Sequence, residues 1–332
     1  MSELLVIPCL NEIEHIDALL SQVRRVSASD TLIVVTDGGS SDGTIAVVDR
    51  HVAKDERVRL LHNPRRIQSC AVNLAVERFG KDRESLIRID AHCEYPDDYV
   101  TVLRAEAERT GADSVVVSMH TAGHGPVQRA NAAAQNSPLG NGGSKHRRTH
   151  GRAEGEWVDH GHHAFMRVAA FKAVGGYDET FSHNEDAELD HRLRAAGYRI
   201  YLTARTRCTY FPRETFGGLL KQYVAYGRGR ARNVVKHRTI PKVRQLIPLM
   251  VAPTLLFGLL AFVHPIALVP ALTWVSACVV MGLVLARRHG DARIAMSAVS
   301  AMTMHFGWSY GFWTGLMAAV GSHTVQGEVK PT

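Results

Sequence analysis

From Gln245 to Ala286 the chain carries no Asp, Glu, Lys or Arg. Crossing the hydrocarbon core of a bilayer takes roughly 20 apolar residues, so this run has room for two membrane helices, joined near Val263-His264-Pro265. A third apolar segment, Ile294 to Gly321, follows Arg287-Arg288-His289-Gly290-Asp291-Ala292-Arg293. Its interior His305 and several Gly and Ser make it the weakest of the three candidates. The near-zero mean hydropathy of the whole chain therefore averages two unlike regions. Residues 1 to about 243 are mixed and charged, and 332 residues are enough for two domains of ordinary size.

The net charge of +7 is concentrated just before the apolar run. Arg228, Arg230, Arg232, Lys236, Arg238, Lys242 and Arg244 occur there without an acid among them. Basic residues flanking the first and third segments put those flanks on the cytoplasmic side. Such a stretch attracts anionic lipid head groups at about 1 kcal/mol per basic residue. Nucleic acid is not an expected partner, because no nucleic-acid-binding motif accompanies the charge. Five scattered cysteines, Cys9, Cys70, Cys93, Cys208 and Cys278, without a CxxC pair, point to reduced thiols rather than a disulfide framework. No basic region, apolar core and small-residue cleavage site open the chain, so a signal peptide is not expected.

The charged region reads as strands alternating with helices. Leu4–Pro8, Leu32–Val35, Val58–Leu61, Leu86–Ile89 and Val115–Val117 are short apolar runs. Helical patterns separate them through Ile13, Ile16, Leu19, Leu20 and Val23, over Thr44–Val52, and through Ala71, Leu74 and Ala75. This alternation predicts an α/β domain with a mostly parallel sheet covered on both faces. Ligands of such sheets bind beyond the carboxyl ends of the strands, where Asp37 and Asp90 fall. Gly123–Arg152, rich in Gly, Asn and Ser with Lys145, His146, Arg147 and Arg148, reads as a mobile basic loop. Ser182-His183-Asn184-Glu185 has capping-box spacing before a helix ended by Gly197, with Glu188–Arg192 and Asp190–Arg194 as i,i+4 pairs. An amphipathic stretch from Thr215 to His237 leads into the apolar run.

Three acidic positions stand out, each with a plainer alternative. The Asp37–Thr44 loop joins a strand to a helix. Its glycines allow close backbone approach, and an acid there can accept hydrogen bonds from a base or ribose; a simple strand-to-helix turn would look the same. Asp90 and His92, two apart at a strand end, point to one side and could share Mn²⁺ or Mg²⁺ with water and phosphate. A strand-end acid capping a turn before Pro96 is the alternative. Asp186 opens a helix, where an acid is often a dipole partner, and Glu185 and Glu188 compete with it for any catalytic role. His160, His162 and His163 raise the idea of a zinc hydrolase, but no HExxH or Cys/His ligand spacing accompanies them. A structural or substrate-contacting role suits them better.

In order and spacing these residues resemble the inverting family-2 glycosyltransferases of GT-A (Rossmann-like) fold. More narrowly, they are similar to the membrane-attached type of succinoglycan and related exopolysaccharide synthesis. The matching positions are Ile7-Pro8 with Asn11-Glu12, the Asp37–Thr44 loop, Arg88-Ile-Asp90-Ala-His92, and Gly175-Gly176-Tyr177-Asp178. They continue through Asn184-Glu185-Asp186-Ala-Glu188-Leu189 with Arg192-Leu193, Tyr210-Phe-Pro212-Arg213, Gln222-Tyr223, and Tyr226-Gly227-Arg228-Gly229-Arg230, ending in the hydrophobic helices. The resemblance implies a glycosyltransferase domain over 1–213, a basic interfacial linker over 214–244, two or three transmembrane helices over 245–322 and a tail over 323–332.

It also implies roles. Pro8, Glu12 and Asp37 would contact the base or ribose of a nucleotide sugar. Asp90 and His92 would hold a divalent cation, Mn²⁺ or Mg²⁺, against the diphosphate, and Asp186 would be the general base. Arg228 and Arg230 would bind diphosphate or a lipid phosphate, with Arg66 and the Lys145–Arg148 loop as further candidates. The implied reaction is inverting transfer of one hexose, from a UDP-linked donor, to a saccharide on a polyprenyl-diphosphate carrier at the cytosolic face of the inner membrane. Transfer to polyprenyl phosphate itself, and an inactive membrane scaffold retaining the fold, are the alternatives. Two departures accompany the match: Gly38 stands where many members carry a second acid, and His92 replaces an acid. The Gln-x-x-Arg-Trp signature of processive synthases is absent after Gln222, which favours one sugar per event.

Overall fold

The computed structural model describes residues 2–143, 154–241 and 243–326, so the expected basic loop at Lys145–Arg148 lies outside the described residues. Successive residues of the first strand, β1 (Glu3–Cys9), point to opposite faces, and both faces are buried. Leu5 and Ile7 pack with Ile16, Leu20, Ile33, Val35, Val47 and Leu103 on one side. Leu4 and Val6 pack with Val34, Val72, Ala75, Phe171, Leu189 and Leu193 on the other. Each such aliphatic side chain contributes about 1.5–3 kcal/mol on full burial. That double cover is why the strand reads as an unbroken apolar run rather than an alternating one.

The helices and strands follow as α1 (Ile16–Val26), β2 (Leu32–Asp37), α2 (Thr44–Val52), β3 (Val58–His62), α3 (Gln68–Phe79), β4 (Ser85–Arg88), β5 (Cys93–Glu94), α4 (Tyr99–Thr110) and β6 (Ser114–Thr121). Next come α5 (Pro126–Asn136), α6 (Pro138–Asn141), β7 (Glu156–Val158), β8 (His162–Arg167), α7 (Val168–Ala173), α8 (Glu185–Ala195) and β9 (Ile200–Tyr210). The sheet order is β3-β2-β1-β4-β8-β6-β9-β5, with β7 also on β9. The β3-β2-β1-β4 half is parallel. Strand β8 enters antiparallel between β4 and β6, so the sheet is mixed beyond β4. Its first residue, His162, consequently lies beyond the carboxyl end of β4.

Two local expectations change. The capping box before α8 does not form: Asn184 takes a left-handed conformation (φ 63°) and no side chain caps the helix. Of the two expected pairs on α8, Arg192 does grip Glu188 (2.5–3.1 Å). Asp190 instead turns inward to His160 and His163, at 2.7 and 2.8 Å, while Arg194 faces Asp159 at 3.5 Å.

The chain divides into two compact units, Met1–His120 with Lys145–Tyr210, and Thr121–Ser144 with Phe211–Thr332. Part of the expected loop at Gly123–Arg152 is helix α5, with Pro126 at its first turn and an alanine-rich middle. Its polar residues are buried because they have backbone to hold: Gln128 Nε2 donates to Pro212 O (3.0 Å) and Asn131 Nδ2 to Arg213 O (2.7 Å). The second unit continues with α9 (Phe216–His237), α10 (Val243–Leu249), α11 (Val251–Gly258), α12 (Val269–His289) and α13 (Ser297–Gln326). Thr215 caps α9 by accepting from Gly218 N.

Among the described residues two stretches are long and apolar enough to span a bilayer, Arg244–Phe262 and Pro265–His289. Their break falls at the expected His264. Phe262, Leu256 and Leu259 are 85, 67 and 66% exposed, the apolar surface a bilayer would cover. Helix α13, the third candidate, runs along α9. Gly307, Gly311 and Gly315 recur every four residues, and a Cβ on Gly311 would lie 2.1 Å from Val224 O of α9. The reciprocal contact is Gly227, whose Cβ would lie 2.2 Å from Trp308 O. Small residues on both helices let the two backbones meet. The polar His305 inside α13 has partners on both nitrogens, Trp274 Nε1 at 3.2 Å and Leu139 O at 2.9 Å.

Candidate active site

The carboxyl edge of the parallel strands gathers the acidic residues. Asp37 is the last residue of β2 and 1% exposed. Its carboxylate accepts Gly39 N (2.7 Å), Ser40 N (2.9 Å) and Ser40 Oγ (2.5 Å). A carboxylate offers about four acceptor sites, so most of Asp37 is spent on shaping its own loop. That loop is sewn to the end of β1. Asn11 N donates to Ser40 Oγ, Ser41 N to Asn11 Oδ1, Glu12 N to Thr44 Oγ1 and Ile13 N to Asp42 Oδ2, all within 2.8–3.1 Å. Pro8, opposite Thr36 in the register, leads directly into this junction.

Arg66 holds a left-handed backbone (φ 61°) beside the same loop. A Cβ at Gly38 would lie 3.3 Å from Arg66 Cα, and one at Gly39 would lie 3.6 Å from Arg66 Nη2. The absence of a second acid at position 38 thus has a steric counterpart: Arg66 occupies that space. Asn63 sets the turn, with its N–H on Asp37 O (2.7 Å) and its side chain on Ile67 O (3.0 Å).

Strand β4 stops at Arg88, so Asp90 and His92 lie in the turn that follows and strand alternation does not align them. Asp90 Oδ1 accepts from Gln68 Nε2 (3.1 Å), and its Oδ2 lies 3.6 Å from His162 Nε2. His92 Nδ1 lies 3.0 Å from Glu12 Oε1. That hydrogen bond raises the His92 pKa to about 9 against the opposing effect of burial. Glu12 is therefore tied to the turn as well as to the Asp37 loop.

Asp186, in the first turn of α8, is gripped by Arg88. Nη1 donates to Oδ1 (2.6 Å) and Nη2 to Oδ2 (3.2 Å), and Tyr177 Oη donates to Oδ1 (2.9 Å). Burial pushes the Asp186 carboxyl up, but Arg88 and the nearby histidines outweigh it and hold the group well below the usual range. Burial likewise opposes the charge on Arg88, and Asp186 with Asp90 outweighs it. Glu185, its neighbour, is also near Arg88, but the arginine does not outweigh the opposing effects there. Burial, then Asp186, raises its pKa to about 7. Glu188 is fully buried on Arg192 and serves the helix. His162, squeezed by burial and by Arg88, falls to about 4 and is neutral.

Asp90 and Asp186 thus meet at the strand ends through Arg88 and His162, and Glu12–His92 ties the Asp37 loop to the turn that carries Asp90. His160 and His163 face the buried Asp190, with His163 also edge-on to Tyr177 and close enough to Asp186 to lower its pKa. Among the described residues no group of three or more His, Cys, Asp or Glu could hold a metal. Arg228 and Arg230 lie on α9 in the second unit, Arg228 exposed and Arg230 half-buried with Nη2 on Gln245 Oε1 (3.2 Å). The roles of Arg88, Tyr177, Gln68 and His162 were not separable in sequence. Arg88 and Tyr177 sit inside matched motifs, but nothing in the chain couples His162 to a residue 74 positions earlier.

The buried acids lie at the sheet edge where ligands of such folds bind, and the fold is that of the GT-A glycosyltransferases. The chain belongs to glycosyl transferase family 2, whose profile matches residues 4–175, and residues 148–323 match glycosyl transferase family group 2. It is 53% identical, over 95% of both chains, to the succinoglycan biosynthesis protein ExoA of Rhizobium meliloti (strain 1021). It is 34% identical over 126 residues to the undecaprenyl-phosphate mannosyltransferase of Micrococcus luteus, covering 37% of this chain and 50% of that one. Among solved structures it is similar to the mannosyltransferase PcManGT of Pyrobaculum calidifontis in complex with GDP-Man and Mn²⁺. The TM-score is 0.55 at 17% identity, covering 98% of this chain and 86% of that one.

Proposed function

We propose that this glycosyltransferase moves one hexose, with inversion, from a nucleotide sugar, UDP-linked by expectation, to a saccharide on a polyprenyl-diphosphate carrier. The process served is exopolysaccharide synthesis at the cytosolic face of the inner membrane. The observation that carries the reading is the joining of Asp90 and Asp186 through one buried arginine at the strand ends. The extent of identity to the succinoglycan protein, over nearly the whole of both chains, supports the process. The two apolar stretches support a membrane-held acceptor, whose effective concentration they would raise.

In this reading Pro8, Glu12 and Asp37 line the base and ribose, and Arg66, exposed above the Asp37 loop, meets the diphosphate. Asp90 and His92 would hold a divalent cation. The donor set fits: two protein ligands leave room for water and phosphate, as Mg²⁺ or Mn²⁺ requires. His92 has its Nδ1 on a carboxylate, the support a metal-binding imidazole normally has. The cation would supply charge stabilisation at the diphosphate leaving group. Asp186 takes the proton of the acceptor hydroxyl as that oxygen bonds to the anomeric carbon and the carbon–diphosphate bond breaks. Arg228 and Arg230 meet a diphosphate or a lipid phosphate at the membrane surface.

Full-length protein in vesicles, given radiolabelled nucleotide sugars with Mn²⁺ or chelator, tests this. Label on lipid-linked saccharide supports the reading. Label on bare polyprenyl phosphate favours the alternative acceptor, and no transfer with any donor refutes both.

A further inference from the structure

Arg88 is a charged side chain 2% exposed, inside the sheet edge rather than in solvent. Its guanidinium reaches four side chains from four places in the chain. Nη1 donates to Asp186 Oδ1 and, at 3.0 Å, meets Tyr177 Oη; Nη2 donates to Asp186 Oδ2 and lies 3.2 Å from His162 Nδ1. Nε is buried without a hydrogen-bond partner, and the acid nearest to it is Asp90, Oδ1 at 3.6 Å. Guanidinium is always protonated and donates only. His162 Nδ1 must therefore accept, which leaves the proton on Nε2, the nitrogen that faces Asp90 Oδ2. One rigid fork thus fixes the orientation of Asp186 and the tautomer of His162, and places both against Asp90.

A structural ion pair needs one acid. This arginine is shared between the acid assigned to the cation and the acid assigned to the acceptor proton, and its own Nε–H stays unmet. We infer that Arg88 is a positioning residue that couples the donor and acceptor ends of the reaction. It holds Asp186 ionised and aimed, and its Nε–H completes its bond to Asp90 when the donor draws that carboxylate into place. The inference rests on the proposed roles of Asp90 and Asp186. A lysine here keeps the charge but has one nitrogen where the fork has three, so it cannot hold all four partners.

The test uses the full chain in vesicles, with Arg88→Lys, Tyr177→Phe and the double variant. Kinetics are measured with saturating acceptor and varied donor, alongside thermal unfolding with and without nucleotide sugar and Mn²⁺. Tyr177 Oη is the second donor to Asp186 Oδ1, so both changes act on the same carboxylate. Misplacing a reacting group by about 1 Å costs on the order of 100-fold. Arg88→Lys should lower kcat by about that factor with the donor KM within about threefold of the parent. Tyr177→Phe should lower kcat by roughly tenfold. The double variant should fall near the arginine variant alone rather than to the product of the two losses, because contacts sharing one partner are not additive.

An unchanged kcat in Arg88→Lys overturns the inference, and so do losses that multiply in the double variant. A change confined to KM, or one that simply follows the melting temperature, also overturns it. Should Arg88→Lys fail to fold, Tyr177→Phe decides: kcat lowered at constant KM supports the coupling, and parental kcat refutes it. A parent that transfers no sugar refutes the functional reading instead, so the two failures are distinct.

Discussion

Replacing Asp186 by Asn changes one oxygen into an amide nitrogen and leaves the shape nearly intact, yet it removes the main counter-charge of Arg88. At an effective dielectric near 20, unit charges about 4 Å apart attract by about 4 kcal/mol. Breaking a buried pair by removing one partner costs roughly 3–5 kcal/mol. The remaining amide oxygen can still accept from Arg88 Nη1 and Tyr177 Oη, whose bonds to Oδ1 are 2.6 and 2.9 Å. Asp90 also stays within 3.6 Å of the guanidinium. A net loss of about 2–3 kcal/mol follows. For a domain of this size that lowers the apparent melting temperature by roughly 5–10 °C. Activity should fall much further, because a positioned base contributes on the order of 10²–10⁴ in rate. The assays are thermal unfolding of full-length protein and initial rates of label transfer at saturating donor and acceptor. The expected result is a kcat lower by at least about 100-fold, with donor-induced thermal stabilisation retained. Parental kcat would remove Asp186 from the chemistry. An unchanged melting temperature would refute the account of Arg88 as a buried charge that depends on it.

Glu12→Gln weakens the hydrogen bond that orients His92, and loss of such a support typically costs 10–100-fold in metal affinity; titration of the donor-bound enzyme with Mn²⁺ measures it, and an unchanged affinity excludes His92 as a ligand. Glu185 has a folded pKa near 7, above its ordinary 4.5, so the folded state binds the extra proton and its contribution to stability falls as pH rises from 4.5 to 7. Glu185→Gln should flatten that decline in thermal unfolding between pH 5 and 8, and a decline identical to the parent's assigns it to other groups. Gly311→Val puts a side chain where a Cβ already lies 2.1 Å from Val224 O, which forces α9 and α13 apart at a cost of about 3 kcal/mol or more; the same change at Gly197, where a Cβ meets nothing within 4 Å, strains only the local turn. Proteolysis in the α9–α13 region should rise for the first and not for the second.

Much of the first unit is legible from residue order because its strands are buried on both faces. Leu4–Pro8 and Leu32–Val35 must be apolar throughout, and the Asp37 loop must contain small residues where Arg66 and the end of β1 crowd it. The uncharged run is legible for a similar reason: a bilayer accepts few charges, so composition alone marks the two stretches long enough to span one and the break at His264. Helix α5 was hidden because its Gln128 and Asn131 look like loop residues until the backbone they bond to is known. The capping box at Ser182–Glu185 and the Asp190–Arg194 pair are the opposite error. Local spacing permitted them, and a left-handed Asn184 and two inward histidines won instead.

By itself the order of residues determined the layered sheet, the two apolar stretches long enough to span a bilayer and the three acids at the strand ends, since each depends on a local pattern of burial. What only the folded chain decided is how those acids are used. The antiparallel entry of β8 brings His162 beside Arg88, and the turn after β4 carries Asp90 to Gln68 and His92 to Glu12. A buried arginine takes its meaning from which charges surround it. Those charges come from segments nearly a hundred residues apart, where no spacing rule reaches.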